Sequence, residues 1–239
     1  MKALLNFFFP PRCLLCGESQ GLLVDCHLCA PCSHDFSLNL SPCGRCGVPM
    51  PLDTQIANRG LCGQCLVSAP AFDYCWSPFI YAQPLEWMIH QFKFNAKLIY
   101  SPVLSSLMIQ QLPMALRESS RADAIIPMPL HSKRLKQRGF NQSLLLARPL
   151  ARALNIKIDC ESGQRVRNTE HQTGKSAKVR RQNIKGAFHF DNKQGYEHLI
   201  IFDDVVTTGS SVSEFSKVLK QSGVKRVDVY SLARAEKIN

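Results

Sequence analysis

The chain has 239 residues, 29 Lys and Arg against 18 Asp and Glu, and a formal net charge of +11. That length suffices for one well-buried domain and a small module. Apolar and charged fractions of 45% and 20% are those of a soluble protein, and no apolar run approaches the ~18 residues a membrane span needs.

The chain starts MKALLNFFFPPRC, a positive charge followed by a short apolar patch. The patch ends in Pro10-Pro11 and lacks a small-residue cleavage site, so it reads as a segment packed on its own domain and not as a signal peptide. The expected location is the cytoplasm without stable membrane insertion, with contact at the inner face of the membrane as the alternative.

Ten of the eleven cysteines precede residue 76. They fall as Cys13-x-x-Cys16, Cys26-x-x-Cys29-x-x-Cys32, Cys43-x-x-Cys46 and Cys62-x-x-Cys65, with Cys75 alone. Without a secretion signal, and with an odd count, a disulfide framework fits poorly. Paired C-x-x-C knuckles suit zinc, because one tight turn supplies two corners of a thiolate tetrahedron. CLLCG at 13–17 and CGRCG at 43–47 form a repeat, and each is followed by a second knuckle, CAPC or CGQC. The pattern predicts two structural zinc ribbons, one held by Cys13, Cys16, Cys29 and Cys32, the other by Cys43, Cys46, Cys62 and Cys65. Replacement of Cys29 or Cys32 by Cys26, or interleaved ribbons, would use the same spacing. Cys75 and Cys160 are expected to be buried thiols.

The ribbon module is expected to occupy 1–70, followed by a second domain over 71–239. Its leading part, 71–120, opens with FDYCWSPFIYA, which alternates like a strand or hairpin. Pro84 then stands where a helix begins, with Leu85, Met88, Ile89 and Phe92 on one face. A second amphipathic stretch covers 102–117.

From 121 onward strands and helices alternate. A strand over 122–129 runs into a proline-punctuated loop, a helix covers 140–155, and Val166 lies in a short strand. The central strand is 199–202, a helix with Val212, Phe215, Val218 and Leu219 on one face follows, and 226–233 is the last strand. Pro149 puts the second half of the 140–155 helix in question. The alternation predicts an α/β fold with a mainly parallel sheet covered on both faces, and ligands at the carboxyl ends of its strands.

Charge is not spread evenly. Residues 121–186 carry fifteen Lys and Arg against four Asp and Glu, while the stretches on either side are balanced. A surplus confined to one segment suggests a surface for a polyanion or a phosphate ligand, and a solvated basic loop would be the unremarkable alternative.

The segment LIIFDDVVTTGSS at 199–211 places paired acids at a strand end, before a hydroxyl-rich turn and a helix start. An NTPase reading fails: the first glycine that a P-loop ending in Gly174-Lys175-Ser176 needs would fall at Thr169. Simple helix capping does not call for two adjacent acids. The segment resembles the 5-phosphoribosyl-1-pyrophosphate (PRPP) loop of type I phosphoribosyltransferases. By that resemblance Asp203 and Asp204 hold the ribose hydroxyls, while Thr207, Thr208, Gly209, Ser210 and Ser211 hold the 5-phosphate at the helix N-terminus. Ser211 stands where that family usually has Thr. Mg²⁺ would accompany PRPP.

PMPLHSKRLKQRGFNQS at 127–143 and HQTGKSAKVRRQNIKGAF at 171–188 resemble the signature blocks of the ComF family, which joins a zinc module to a type I phosphoribosyltransferase-like domain. The resemblance covers nearly the whole chain. It implies handling of incoming single-stranded DNA during natural transformation, beside a helicase-like competence protein. Lys133, Arg134, Lys136 and Arg138 in one block, and Lys175, Lys178, Arg180, Arg181 and Lys185 in the other, would track the DNA backbone. Arg180 and Arg181 would equally suit closure over pyrophosphate. Only Phe140 and Phe188 lie near these cations, so binding is expected to be electrostatic and poorly sequence-selective. The resemblance equally implies an alternative, transfer of ribose 5-phosphate from PRPP to an acceptor. The sequence offers no acceptor-recognition element and no assigned catalytic base.

Overall fold

The computed structural model describes residues 11–23, 27–57, 60–119, 121–168 and 184–236. The knuckles lie among three short helices, α1 (Ala30–His34), α2 (Leu52–Ala57) and α3 (Gly63–Val67). Next come strands β1 (Tyr74–Trp76) and β2 (Phe79–Ile80), then helices α4 (Leu85–Phe94), α5 (Tyr100–Gln110) and α6 (Met114–Ser119). The remainder runs β3 (Ala124–Pro127), α7 (Ser132–Arg138), α8 (Gln142–Leu154), β4 (Gly163–Arg165), β5 (Phe188–Phe190), β6 (His198–Val206), α9 (Ser210–Gln221) and β7 (Arg226–Arg234).

The main sheet is parallel, as the alternation predicted, with β6 between β3 and β7 and with β1 and β2 along the far edge of β7. Leu199, Ile200, Ile201 and Phe202 are all fully buried, which is what a continuous apolar run achieves when both faces of a strand are covered. Phe202 and Ile200 pack towards α4, α5 and α8, whereas Leu199 and Ile201 pack towards β5 and α9. The helix α9 presents Val212, Phe215 and Leu219 to that second core. Gly163 of β4 lies so close to Phe215 that a Cβ there would stand 2.8 Å from the ring, which explains a glycine inside a strand.

Several expectations are corrected. Of the strand or hairpin expected after the ribbons, the strand is what forms: β1 and β2 both run parallel to β7, as two pieces of one strand and not as a hairpin. The amphipathic stretch 102–117 divides into α5 and α6 at Pro113, which cannot continue the ladder. The expected loop after β3 contains a helix, α7, started by His131 accepting from the Lys133 N–H and stopped by left-handed Gly139. Pro149 does not end α8, which continues to Leu154. Cys160 is exposed, in a turn where Asp159 accepts from the Glu161 and Ser162 N–H groups, whereas Cys75 is buried as expected.

The two ribbons straddle the sheet. Cys13, Leu28, Cys29 and Phe36 join the core shared with α4, α5 and α8, while Cys43, Val48, Met50 and Cys65 join the core shared with β5 and α9. The chain between them lies along β2: the Asn39 N–H donates to the Pro78 carbonyl at 2.8 Å and the Ile80 N–H to that of Ser37 at 2.8 Å. The Asn39 side chain donates to the Gly47 and Ser77 carbonyls, so one buried amide pins ribbon to sheet. Among the described residues no helix is long and apolar enough to cross a membrane.

Candidate functional site

Two sulfur clusters form in the pairing that the repeat predicted: Cys13, Cys16, Cys29 and Cys32, and Cys43, Cys46, Cys62 and Cys65. Within each, all ligand atoms lie within 4.8 Å of one another. A tetrahedral zinc with bonds of about 2.3 Å would set its sulfurs roughly 3.8 Å apart. The Cys16–Cys29 and Cys46–Cys62 sulfurs are 3.6 and 3.7 Å apart, a fit to that edge and far too long for a disulfide. The Cys62 N–H donates to Cys43 Sγ at 3.2 Å, which favours that sulfur as a thiolate. The residues fit structural zinc. Cys26 lies outside the described residues.

The strand expected at 199–202 runs on to Val206, so the acid pair lies within the carboxyl-terminal half of β6. It stands beside the end of β3, after which the Met128 N–H donates to the Phe202 carbonyl at 2.7 Å. Asp204 is 2% exposed and forms an ion pair with Lys93 at the end of α4. Half-buried Asp203 accepts from Ser143 Oγ of α8 at 3.0 Å and from the Asp204 N–H at 3.0 Å. Burial and the adjacent Asp204 charge push the Asp203 carboxyl up to about 7. Burial works against the Asp204 carboxylate too, but the Lys93 ammonium outweighs it and holds that group below the ordinary range.

The turn after the acids carries exposed Thr207 and Thr208, with Gly209 at φ +74 as the residue that starts α9. Thr208 Oγ1 and Ser210 Oγ are 2.9 Å apart, and the Ser210 N–H donates to Thr208 Oγ1. The first N–H groups of a helix lack partners within it, so this turn gathers donors at a positive dipole end, beside Ser211. The loop is fastened from below by Arg234, at the end of β7 and 5% exposed. Its Nη1 donates to the carbonyls of Val206, Thr207 and Ala235, and its Nε to that of Cys46 in the second ribbon at 3.0 Å. A cavity of about 650 Å³ separates Cys46, Cys65 and 68–72 from Thr208, Ser210 and the outer side of α9.

The cations divide by position. Lys133 and Lys136 of α7 are exposed, whereas Arg134 and Arg138, one turn apart, are half-buried, Arg138 near both acids. Burial and the Arg134 charge weaken the hold of Arg138 on its proton, and Asp203 and Asp204 act in the opposite sense. Lys185 is exposed on the far side of the loop, lining the cavity. Lys175, Lys178, Arg180 and Arg181 lie outside the described residues.

A double zinc ribbon domain model matches residues 4–66. Over 228 residues the chain is 36% identical to the DNA utilization protein YhgH of Salmonella typhimurium, covering 94% of this chain and 97% of that one. It is 35% identical over 237 residues to Competence protein F of Haemophilus influenzae, with 95% and 99% covered. Competence protein ComFC of Streptococcus pneumoniae is 23% identical over 247 residues, with 93% and 100% covered. The chain belongs to the ComF family.

Within this ComF-family chain, sequence reasoning missed Lys93, Ser143, Arg165 and Arg234. Lys93 and Ser143 come from helices distant in sequence, and no local pattern marks them. Arg165, at the end of β4, lies near Arg134 and Asp203; burial and Arg134 weaken its proton affinity, and Asp203 opposes them. Arg234 had a visible signal, a lone cation closing the apolar strand VYSLAR. The two aromatics expected near the DNA are committed elsewhere: Phe140 packs on Phe92 at 5.3 Å between centroids, and buried Phe188 packs on Phe215 at 5.1 Å.

Proposed function

We propose that this chain handles incoming single-stranded DNA in the cytoplasm during DNA uptake, and that its site at 203–211 holds PRPP or a related phosphorylated sugar with Mg²⁺. The observation that carries the reading is the arrangement of opposite chemistries at one end of the sheet. Half-buried Asp203 presents a carboxylate suited to sugar hydroxyls, with buried Asp204 behind it paired to Lys93. The turn from Thr207 to Ser211 presents hydroxyls and helix-start donors suited to phosphate, and α7 brings Arg138 near both acids with exposed Lys133 and Lys136 on the same helix. The names of the relatives, DNA utilization and competence, agree with a nucleic-acid partner. A helicase-like competence protein would act beside it.

Fluorescence anisotropy of a labelled single-stranded oligonucleotide, titrated at several salt concentrations with and without Mg²⁺-PRPP, tests both parts. Binding is expected to weaken steeply with salt. Lys133→Glu with Lys136→Glu removes two exposed cations and should lower the logarithmic salt slope by roughly 1.4. Asp203→Asn should weaken PRPP and leave the salt slope in place. Absence of DNA binding at low salt, with PRPP bound, would turn the reading to phosphoribosyl transfer and to a search for the acceptor.

A further inference from the structure

The solvent face of α4 is unusual for a surface helix. Trp87, His90 and Phe94 follow one another at helical spacing, and all three are exposed, Phe94 by 61% and Trp87 by 40%. The His90 and Phe94 rings lie 4.9 Å apart between centroids at 39°, and Trp87 meets Tyr100 edge-on at 5.7 Å. The turn that follows adds Leu98 and Ile99, each at least half exposed. Core packing does not account for these rings, because Leu85, Met88, Ile89 and Phe92 already fill the buried face.

What the stripe adjoins identifies its occupant. Arg138 of α7 lies with its guanidinium 5.5 Å from the centre of the Phe94 ring, and Lys93, next to Phe94, pairs with Asp204. The stripe therefore leads directly into the acid pair and the basic helix. The segment 130–140 supplies Lys133, Arg134, Lys136 and Arg138 without one acid, Lys97 follows Phe94, and Glu86 sits at the opposite end of α4. An apolar protein partner has no use for that concentration of cations, whereas rings beside cations are the combination that holds a single strand, bases on the rings and phosphates on the charges. At 1.5 Å per residue, Trp87 to Phe94 spans about 10 Å, room for one or two splayed bases.

We propose that the Trp87, His90 and Phe94 stripe is a nucleobase-stacking face, which receives the bases of a single strand whose phosphates lie on α7. The proposal rests on the single-stranded DNA reading and adds to it a contact with the bases, where the cations alone would read only the backbone. It gives that reading a consequence that charge does not: an abasic strand should bind less well than one of equal length that carries bases.

The test compares labelled oligo-dT with an abasic oligonucleotide of the same length on the full chain, at one salt concentration. The wild type is expected to favour oligo-dT by about tenfold or more, the size of one base–ring stack. Phe94→Ala should abolish most of that preference while leaving abasic binding and its salt slope unchanged, and Phe94→Tyr should restore it. Because Trp76 is buried, a Trp76→Phe background leaves Trp87 as the reporter, and its emission should be quenched by oligo-dT and not by the abasic strand. Equal wild-type affinity for the two strands overturns the proposal while sparing the DNA reading. An equal loss of both strands in Phe94→Ala, with unchanged melting, also overturns it and leaves the stripe to a protein contact. No binding of either strand removes the DNA reading and the stacking face together.

Discussion

In the carboxyl-terminal half of β6, two adjacent carboxylates hold their protons with opposite strength, and the difference has a measurable consequence. Asp203 has lost water and faces the Asp204 charge, so its carboxyl titrates at about 7; Asp204 keeps its charge because Lys93 neutralises it. A carboxylate accepts sugar hydroxyls better than a neutral acid does. Affinity for Mg²⁺-PRPP should therefore fall as pH drops through 7, by about tenfold between pH 8 and pH 6 if binding needs the ionised form. The ratio of wild-type to Asp203→Asn affinities cancels the ligand's own titration, and a ratio constant with pH would sink the idea. The effect on stability has the same origin. A carboxyl whose pKa is raised on folding is protonated more readily in the folded state, so its contribution is most favourable below the ordinary carboxylate range and declines as pH climbs towards 7. Asp204 behaves in the opposite sense, its contribution being lost only as acid reaches its lowered pKa.

Among the elements, legibility followed locality. The run at 199–202, the α9 stripe and the cysteine knuckles each carry their own periodicity or spacing, and each stands where that pattern put it. The helix α7 was hidden because SKRLKQR buries no residue, so it has no apolar stripe; only the Gly139 stop signalled it. The split edge strand was hidden because pairing of β1 and β2 with β7 joins residues some 150 apart, which no local pattern encodes. Arg234 belongs to this second class, since its value lies in bringing the end of β6 and the second ribbon to one guanidinium. Its planar fork can serve diverging carbonyls, and a lysine ammonium cannot reproduce that geometry. Arg234→Lys is expected to cost about 2 kcal/mol, through bonds to a charged donor that are lost. Thermal melting reads the cost, and calorimetric titration with Mg²⁺-PRPP should show weaker binding, because Thr207 would lose its anchor. Unchanged melting and affinity would make the arginine incidental to the loop.

For the whole molecule, the sheet is gripped from both sides by ribbons that differ in what they touch. The first ribbon enters the core beneath α4, α5 and α8. The second is tied to the loop-bearing half of the sheet: Cys46 accepts from Arg234, Arg45 pairs with Asp73, and Asp73 pairs with Lys220 of α9 and accepts from the Val227 N–H. A structural zinc site contributes its binding energy to folding, so removing one ligand releases mainly what that site holds in place. Cys32→Ser and Cys65→Ser should each reduce bound zinc from two ions per chain to one, measured by metal analysis. Both should melt earlier. Their effects on the loop should separate, with Cys65→Ser weakening Mg²⁺-PRPP binding by freeing the Cys46 carbonyl from its fixed place, and Cys32→Ser leaving that affinity near wild type. Equal losses in the two variants would mean that the ribbons support the sheet as one scaffold, and the path from the second zinc centre through Arg234 to Thr207 would then have no separate role.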